Sequence, residues 1–363
     1  MQHFDFLVVG TGLFGAVFAQ QAIEAGKTCL VVDRRPHIAG NCHTIEESGI
    51  HVHAYGPHLF HTSNEAIWRY VNRFAEFNTY RHKVLAKNGE RVFSMPIGLQ
   101  TLNQLHGITT PAAARDYFER VREDVPGDDI ESWCLRTIGR ELYELFIRDY
   151  TQKQWNRHPR DLPSSIVKRL PVRLTWDSDY STDIYQGVPV EGYTAMVERM
   201  FEGATVLLET DYLKHRAELN RLARRVVYSG PIDELFNFDE GRLEYRSLRF
   251  EHAWLPTEDF QGCGQVNHTS AEVSYTRITE HKHFVRGPVT KSTIITREYP
   301  SSDGEPAYPI NDEKNNALAQ RYIARAKAEG YTVGGRLGVY RYYDMDQVIG
   351  MALKKAKDVL SAS

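Results

Sequence analysis

Gly10, Gly12 and Gly15 stand at G-x-G-x-x-G spacing, directly after an apolar run and at the start of a helical pattern. Each glycine has a task there. The first makes a tight turn, the second lets backbone approach a pyrophosphate, and the third lets a helix pack closely on a strand. The helix N-terminus adds unpaired N–H groups and partial positive charge for the phosphates. Asp33 ends the next apolar run, where a carboxylate can accept hydrogen bonds from ribose hydroxyls. Together these residues predict a dinucleotide site that also includes Phe14. Arg34 could lie near the adenine or its ribose; alternatively Arg34 and Arg35 are both solvated surface charges, the better reading for Arg35. The fingerprint serves NAD and FAD equally.

A second set of residues suits a charged, planar ligand. Phe146 and Tyr150 are four apart and could line a buried helix face or offer π-faces. Trp155, between polar Gln154 and Asn156, fits pure core packing less well. Arg169 lies in a basic run with Lys168 and Arg173, which reads either as a solvated face or as a phosphate clamp. A guanidinium fork matches phosphate oxygens in paired hydrogen bonds. His51, His53, His58 and His61 cluster in sequence, but no cysteine or paired acid accompanies them, so no metal is expected. His51 and His53 read as structural or surface residues.

The elements that position these residues are legible in part. Phe4–Val9 is expected as a buried strand, followed by a helix through Ala16, Ala19 and Ile23 to Gly26, and by a strand over Cys29–Val32. That is a complete strand–helix–strand unit. Residues 96–160 read as helical. Thr110-Pro111 opens one helix that stops before Pro126-Gly127. Asp128 or Asp129 caps the next, whose core face holds Ile138, Leu142, Leu145 and Phe146. Segments 242–250, 270–278 and 291–297 alternate like strands of an antiparallel sheet, and a last helix covers 346–360. The predicted class is α/β: a Rossmann-like FAD-binding domain with a helical insertion and an antiparallel β-sheet insertion. Its boundaries are 1–76, 187–238 and 310–363 for the discontinuous FAD-binding domain, and 96–165 for the helical domain. The antiparallel-sheet substrate domain takes 77–95, 166–186 and 239–309.

Composition narrows the classes. Hydrophobic residues make up 42% and charged residues 25% of 363, as in an ordinary globular protein. A net charge of −3 gives no whole-chain case for nucleic-acid binding, so any anionic ligand needs a local basic cluster. Cys29, Cys42, Cys134 and Cys263 show no C-x-x-C pairing, which favours a reducing cytoplasm. No secretory signal and no membrane span are expected.

Arg34 to Asn41, including Gly40, is similar to the extension that follows the fingerprint in flavoproteins of the glutathione-reductase type, which leans the cofactor towards FAD. Further motifs are Gly56-Pro57-His58-Leu59-Phe60-His61-Thr62, Tyr150-Thr151-Gln152-Lys153-Gln154-Trp155, residues 167–173, Tyr275-Thr276-Arg277-Ile278 and residues 335–346. In this order they resemble the bacterial UDP-galactopyranose mutase family over nearly the whole chain. Many of those relatives carry paired phenylalanines where this chain has Phe146-Ile147.

The resemblance implies interconversion of UDP-galactopyranose and UDP-galactofuranose for cell-surface glycans. It passes through a covalent adduct on N5 of FAD, with the reduced form active. Trp155 and Tyr150 would pack on uridine, with Phe146, Thr151 and Tyr180 nearby. Arg169 and Arg277 would hold the diphosphate, while Tyr308, Tyr342 and Asn267 place phosphates or sugar. Asp344 would lie close to those tyrosines, Arg336 at the flavin's diphosphate, His58 beside the isoalloxazine, and Gly40 and Asn41 at the cofactor. A lid carrying Arg169 would close over the detached nucleotide. The family is commonly homodimeric. Two other readings stay open: an FAD-dependent oxidase related to amine oxidases, and a nucleotide-sugar-binding protein without catalysis.

Overall fold

The computed structural model describes residues 3–168, 172–287 and 290–361. The chain divides into two compact units, each assembled from pieces distant in sequence. The first takes Met1–Tyr80, Asp183–Tyr245 and Glu305–Ser363, and the second Arg81–Thr182 and Arg246–Gly304.

The first unit is built on a parallel sheet. Its strands run in the order Thr332–Val333, Ala223–Tyr228, Phe4–Val9, Cys29–Val32, Thr205–Leu207, and every pairing is parallel. Strands covered on both faces carry near-continuous apolar runs. Accordingly Leu7, Val8, Val31 and Val32 have no exposed surface. The expected helix is Leu13–Glu24, and Gly26 follows it with φ +75, the left-handed turn that closes a helix end. It packs on the final helix, Met345–Ser361. This is the Rossmann-like half of an α/β fold.

The second unit combines helices and a sheet around one core. Thr110 caps the helix Pro111–Val121 by accepting from the Ala113 N–H, and Asp129 caps Ile130–Thr137 by accepting from Ser132. The helix expected to run from Asp129 through Phe146 is broken. Gly139 takes φ +77, and a Cβ there would lie 2.7 Å from the Val121 carbonyl oxygen, so the neighbouring helix forces the turn. The chain resumes as Gly139–Leu142, passes through the π-helical turn Tyr143–Arg148 and ends in Asp149–Trp155.

Six strands of its sheet run in the order Tyr245–Leu255, Thr293–Ser301, Arg277–Glu280, Gln265–His268, Val84–Asn88, Arg91–Met95. Two expectations need correction here. Within 270–278 only the end is strand, because residues 269–275 curl into a loop; the strand Gln265–His268 precedes it instead. The sheet is also not wholly antiparallel, since Gln265–His268 pairs parallel with Val84–Asn88. Ala86 and Phe93 of the sheet share a core with Leu102, Phe118, Leu142 and Phe146 of the helices. The segments read as separate helical and sheet domains therefore fall mostly within one unit.

Candidate functional site

The predicted site residues fall into two groups, one in each unit. In the first unit a cleft of about 1170 Å³, counting space open to solvent, follows the carboxyl ends of the parallel strands. Gly10, Gly12, Phe14, Asp33, Arg34, Gly40, Asn41, His58 and Arg336 all line it. Gly15 lies beneath. A Cβ on it would come within 2.0 Å of the Gly10 carbonyl oxygen, so only hydrogen lets helix and turn meet. Gly12 and Gly40 face each other so closely that a Cβ on Gly40 would sit 2.9 Å from the Gly12 Cα. No side chain caps the N-terminus of the helix Leu13–Glu24. Its first N–H groups are left for an anion.

Asp33 also fixes the turn itself. Its Oδ2 accepts from the Thr11 N–H at 2.8 Å and the Thr11 hydroxyl at 2.7 Å, and its Oδ1 from the Arg35 N–H at 3.0 Å. The two arginines after it differ in exposure. Arg34 is the more exposed, ion-paired to Glu234 at 3.3 Å and Glu305 at 2.5 Å. Arg35, expected as a solvated charge, is only 19% exposed. Its guanidinium lies 4.6 Å above the Tyr55 ring and donates to Asn41 Oδ1 at 2.9 Å. Aromatic cover and an amide acceptor hold a cation that sequence context alone leaves in water.

His58 is fixed at both ends. Its backbone N–H donates to buried His53 Nδ1 at 3.0 Å, and its own Nδ1 lies 2.9 Å from the Gly56 carbonyl oxygen. Burial, with the Arg336 charge beside it, pushes the imidazole down to about 4. The ring is therefore neutral near pH 7. Since a carbonyl only accepts, Nδ1 carries the proton and Nε2 presents a lone pair. Arg336 donates from Nε to the Tyr343 carbonyl at 2.6 Å and lies 4.5 Å over the Tyr342 ring. Tyr342 stacks on Tyr308 with centroids 5.5 Å apart. Asp344 stands at the start of the last helix, its carbonyl accepting the Val348 N–H at 3.1 Å.

In the second unit, strand register makes one row. Asn267 sits opposite Arg277, and Arg277 opposite Glu298, so the three side chains share a face. Ala86, opposite Asn267 on the same row, belongs to the core shared with the helices. Arg277 Nε lies 3.2 Å from Glu298 Oε1, and one of its amino groups donates to the Tyr150 hydroxyl at 3.4 Å. Glu298 is 2% exposed; burial raises its carboxyl above the usual range and the Arg277 charge opposes that. Burial likewise raises the Tyr150 hydroxyl.

The other predicted residues of this unit are spread around that row. Asn267 Oδ1 accepts from Gln265. Trp155 is partly buried against the helical core, and Thr151 is buried beside it in sequence space on the same helix. Phe146 is core, 3% exposed and edge-on to Phe93 at 5.3 Å. Tyr180 is 37% exposed, its backbone N–H donating to the His82 carbonyl. Arg169 lies outside the described residues.

Glu298 escaped the sequence reading. Only strand register puts it opposite Arg277, and nothing local marks it. Among the described residues one group has metal-ligand spacing, Asp259, Glu280 and His283. Glu280 is already engaged there by the N–H groups of Phe260 and Gln261 and the Thr293 hydroxyl. No helix of the described residues is long and apolar enough to cross a membrane.

Known proteins resemble this chain over its whole length. A family model described as UDP-galactopyranose mutase matches residues 145–342, and one for an NAD(P)-binding Rossmann-like domain matches 8–74. A probable UDP-galactopyranose mutase of Klebsiella pneumoniae is 41% identical over 100% of this chain and 96% of its own. A dTDP-fucopyranose mutase of Escherichia coli is 34% identical over 97% of each. In fold, the chain matches a crystal structure of a reduced UDP-galactopyranose mutase with a TM-score of 0.79 at 12% identity, covering 100% of this chain and 95% of that one. A putrescine oxidase shares the fold more distantly, with a TM-score of 0.59 at 10% identity. This chain is an isomerase-class enzyme by descent: it belongs to the UDP-galactopyranose mutase family.

Proposed function

We propose that the enzyme interconverts UDP-galactopyranose and UDP-galactofuranose, with reduced FAD held along the cleft of the first unit. The observation that carries the substrate half is the row Asn267–Arg277–Glu298, which holds a guanidinium against the Tyr150 hydroxyl. In a chain with a net charge of −3, a pyrophosphate must be met by local cations of this kind. Arg277, joined by Arg169, stabilises the charge that grows on departing UDP. Glu298 keeps the Arg277 fork in one orientation. Trp155 and Tyr150 offer their faces to uracil, with Thr151 and Tyr180 beside them and Phe146 behind.

Tyr308 and Tyr342 meet the phosphates or sugar, and Asp344 lies close to them in sequence. On the cofactor side Gly10, Gly12, Phe14 and Gly15 approach the pyrophosphate, and Asp33 has acceptor capacity left for ribose. Arg34, Gly40, Asn41 and Arg336 line the same cleft. Neutral His58 lies beside the isoalloxazine. Bound and reduced, the flavin supplies the nucleophile of the family's reaction.

The test is an anaerobic assay of the purified protein with UDP-galactofuranose, with and without dithionite, followed by chromatography. Conversion only after reduction is expected. Equal conversion without reductant would remove the flavin's role. Conversion of dTDP-fucopyranose alone would reassign the substrate to that of the Escherichia coli relative. We extend the reading to a cytoplasmic homodimer, for which light scattering should give about twice 41.7 kDa.

A further inference from the structure

Lys153 is a cation that the mechanism above does not use, and its surroundings are unusual. It sits on the helix Asp149–Trp155, one turn beyond Tyr150 and between Thr151 and Trp155. Its Nζ donates to three backbone carbonyls: His268 at 2.7 Å, Tyr275 at 3.1 Å and Val273 at 3.2 Å. An ammonium has three donors and no acceptor, so these three oxygens satisfy it completely. All three belong to the segment that leaves the strand Gln265–His268 and returns as Arg277–Glu280. The base of that loop is closed by the His268 N–H donating to the Thr276 carbonyl at 2.8 Å. The loop thus curls round the ammonium, and Arg277 is the next residue after it.

Burial lowers the Lys153 ammonium to about 8, with the Asp149 charge opposing, so it stays mostly charged near neutral pH. His268 packs edge-on to Tyr275 with centroids 4.7 Å apart. Burial, with Lys153 itself close by, pushes that imidazole down to about 4, so it adds no like charge near neutral pH. The helix is also held from its far end, where the Arg246 Nε donates to the Gln154 carbonyl at 3.0 Å.

We infer that Lys153 is a positioning residue: by gathering the 268–275 carbonyls it fixes Arg277 and Asn267 against the helix that carries Tyr150 and Trp155. The inference rests on the reading of Arg277 as the diphosphate cation. Without the ammonium, three inward-facing carbonyls lose their common donor and the loop must reopen to water. A displacement of about 1 Å at a charge-stabilising group is enough to cost about a hundredfold in rate.

The experiment compares wild type, Lys153→Met, Lys153→Arg, Arg277→Lys and the double variant Lys153→Met/Arg277→Lys, all loaded with flavin and assayed with UDP-galactofuranose. Lys153→Met is expected to lower kcat by ten- to a hundredfold with KM changed less than threefold. Its melting temperature should stay near wild type, while amide exchange across 269–276 speeds at least tenfold. Lys153→Arg should recover part of the rate, since it keeps the charge and several donors. In the Arg277→Lys background the same Lys153→Met change should cost less than threefold, because the group it positions is already altered.

Full multiplication of the two effects, or a Lys153→Met enzyme within twofold of wild type, overturns the inference. So does a rate loss matched by a general fall in melting temperature that Lys153→Arg does not repair. Should Lys153→Met fail to fold, Lys153→Gln carries the same comparison. An inactive wild type in this assay would instead count against the proposed function, and the exchange measurement still reads the clamp.

Discussion

Arg277 reaches its position because three adjacent strands are in one register, and because Glu298 opposite it is buried and needs a counter-ion. A buried carboxylate left alone costs several kcal/mol, so the pair constrains both partners. Replacing Arg277 by alanine removes the cation from the diphosphate and strands Glu298 at once. Turnover of Arg277→Ala should fall by about two to three orders of magnitude, and its unfolding free energy by about 3 kcal/mol. Steady-state kinetics and urea titration of the same preparation check both. Loss of stability without loss of rate would leave Arg277 a structural ion-pair partner only. Neither effect is legible from Tyr275-Thr276-Arg277 as a string. The motif marks the arginine by resemblance, whereas its partner lies in another strand.

At the scale of elements, what the sequence displayed best was what depends on near neighbours. The fingerprint turn, the strand Phe4–Val9 and the caps at Thr110 and Asp129 all follow from residues within a few positions of one another. The break at Gly139 did not, because its cause is Val121 on the preceding helix. The segment 270–278 was read as strand because its alternation is real, but residues 269–275 curl into a loop around the Lys153 ammonium. Arg35 was misjudged for the same reason: the Tyr55 ring that covers it comes from elsewhere in the chain.

Two predictions belong at this scale. Gly15→Val should force the helix off its strand, and flavin per protein after purification should drop to about a tenth of wild type or less. Retention of full yellow colour would contradict this. The second concerns Glu280, which ties the loop after Leu255 to the strand Arg277–Glu280. Burial alone would raise its carboxyl, but His283, Thr293 and the N–H groups of Gln261 and Phe260 outweigh it and lower it to about 2, from an ordinary 4.5. A lowered carboxylate stabilises the fold above its ordinary range, and that contribution fades as pH falls from about 4.5 through 2. The difference is worth about 3 kcal/mol. Glu280→Gln should therefore be less stable than wild type at pH 7, and the gap should shrink by pH 3 in matched urea titrations. A pH-independent gap would mean the charge is not what matters.

For the whole molecule, the α/β class was legible in the strand–helix–strand unit at Phe4–Val32, but which distant pieces pair was not. Pairings such as Val227 with Thr332 leave no local signature. The interleaving of the pieces has a consequence for stability. The first unit is three separate pieces of chain, and its cleft is lined by all of them: Gly12 and Asp33 from the first, Thr210 and Ser229 from the second, Arg336 and Met345 from the third. A ligand spanning the cleft binds only when the pieces are assembled, so it stabilises their association by mass action, by about 4 kcal/mol at a thousandfold excess over Kd.

Removing the flavin should therefore act selectively. In the apoprotein, amide exchange should accelerate in the strands Ala223–Tyr228 and Thr332–Val333 and at the start of the helix Met345–Ser361. Exchange in Arg277–Glu280 and Thr293–Ser301, within the second unit, should stay close to that of the loaded protein. Adding FAD back should restore protection in proportion to occupancy. A uniform loss of protection across both units would show instead that they unfold together, and that the cofactor stabilises the chain as one cooperative body.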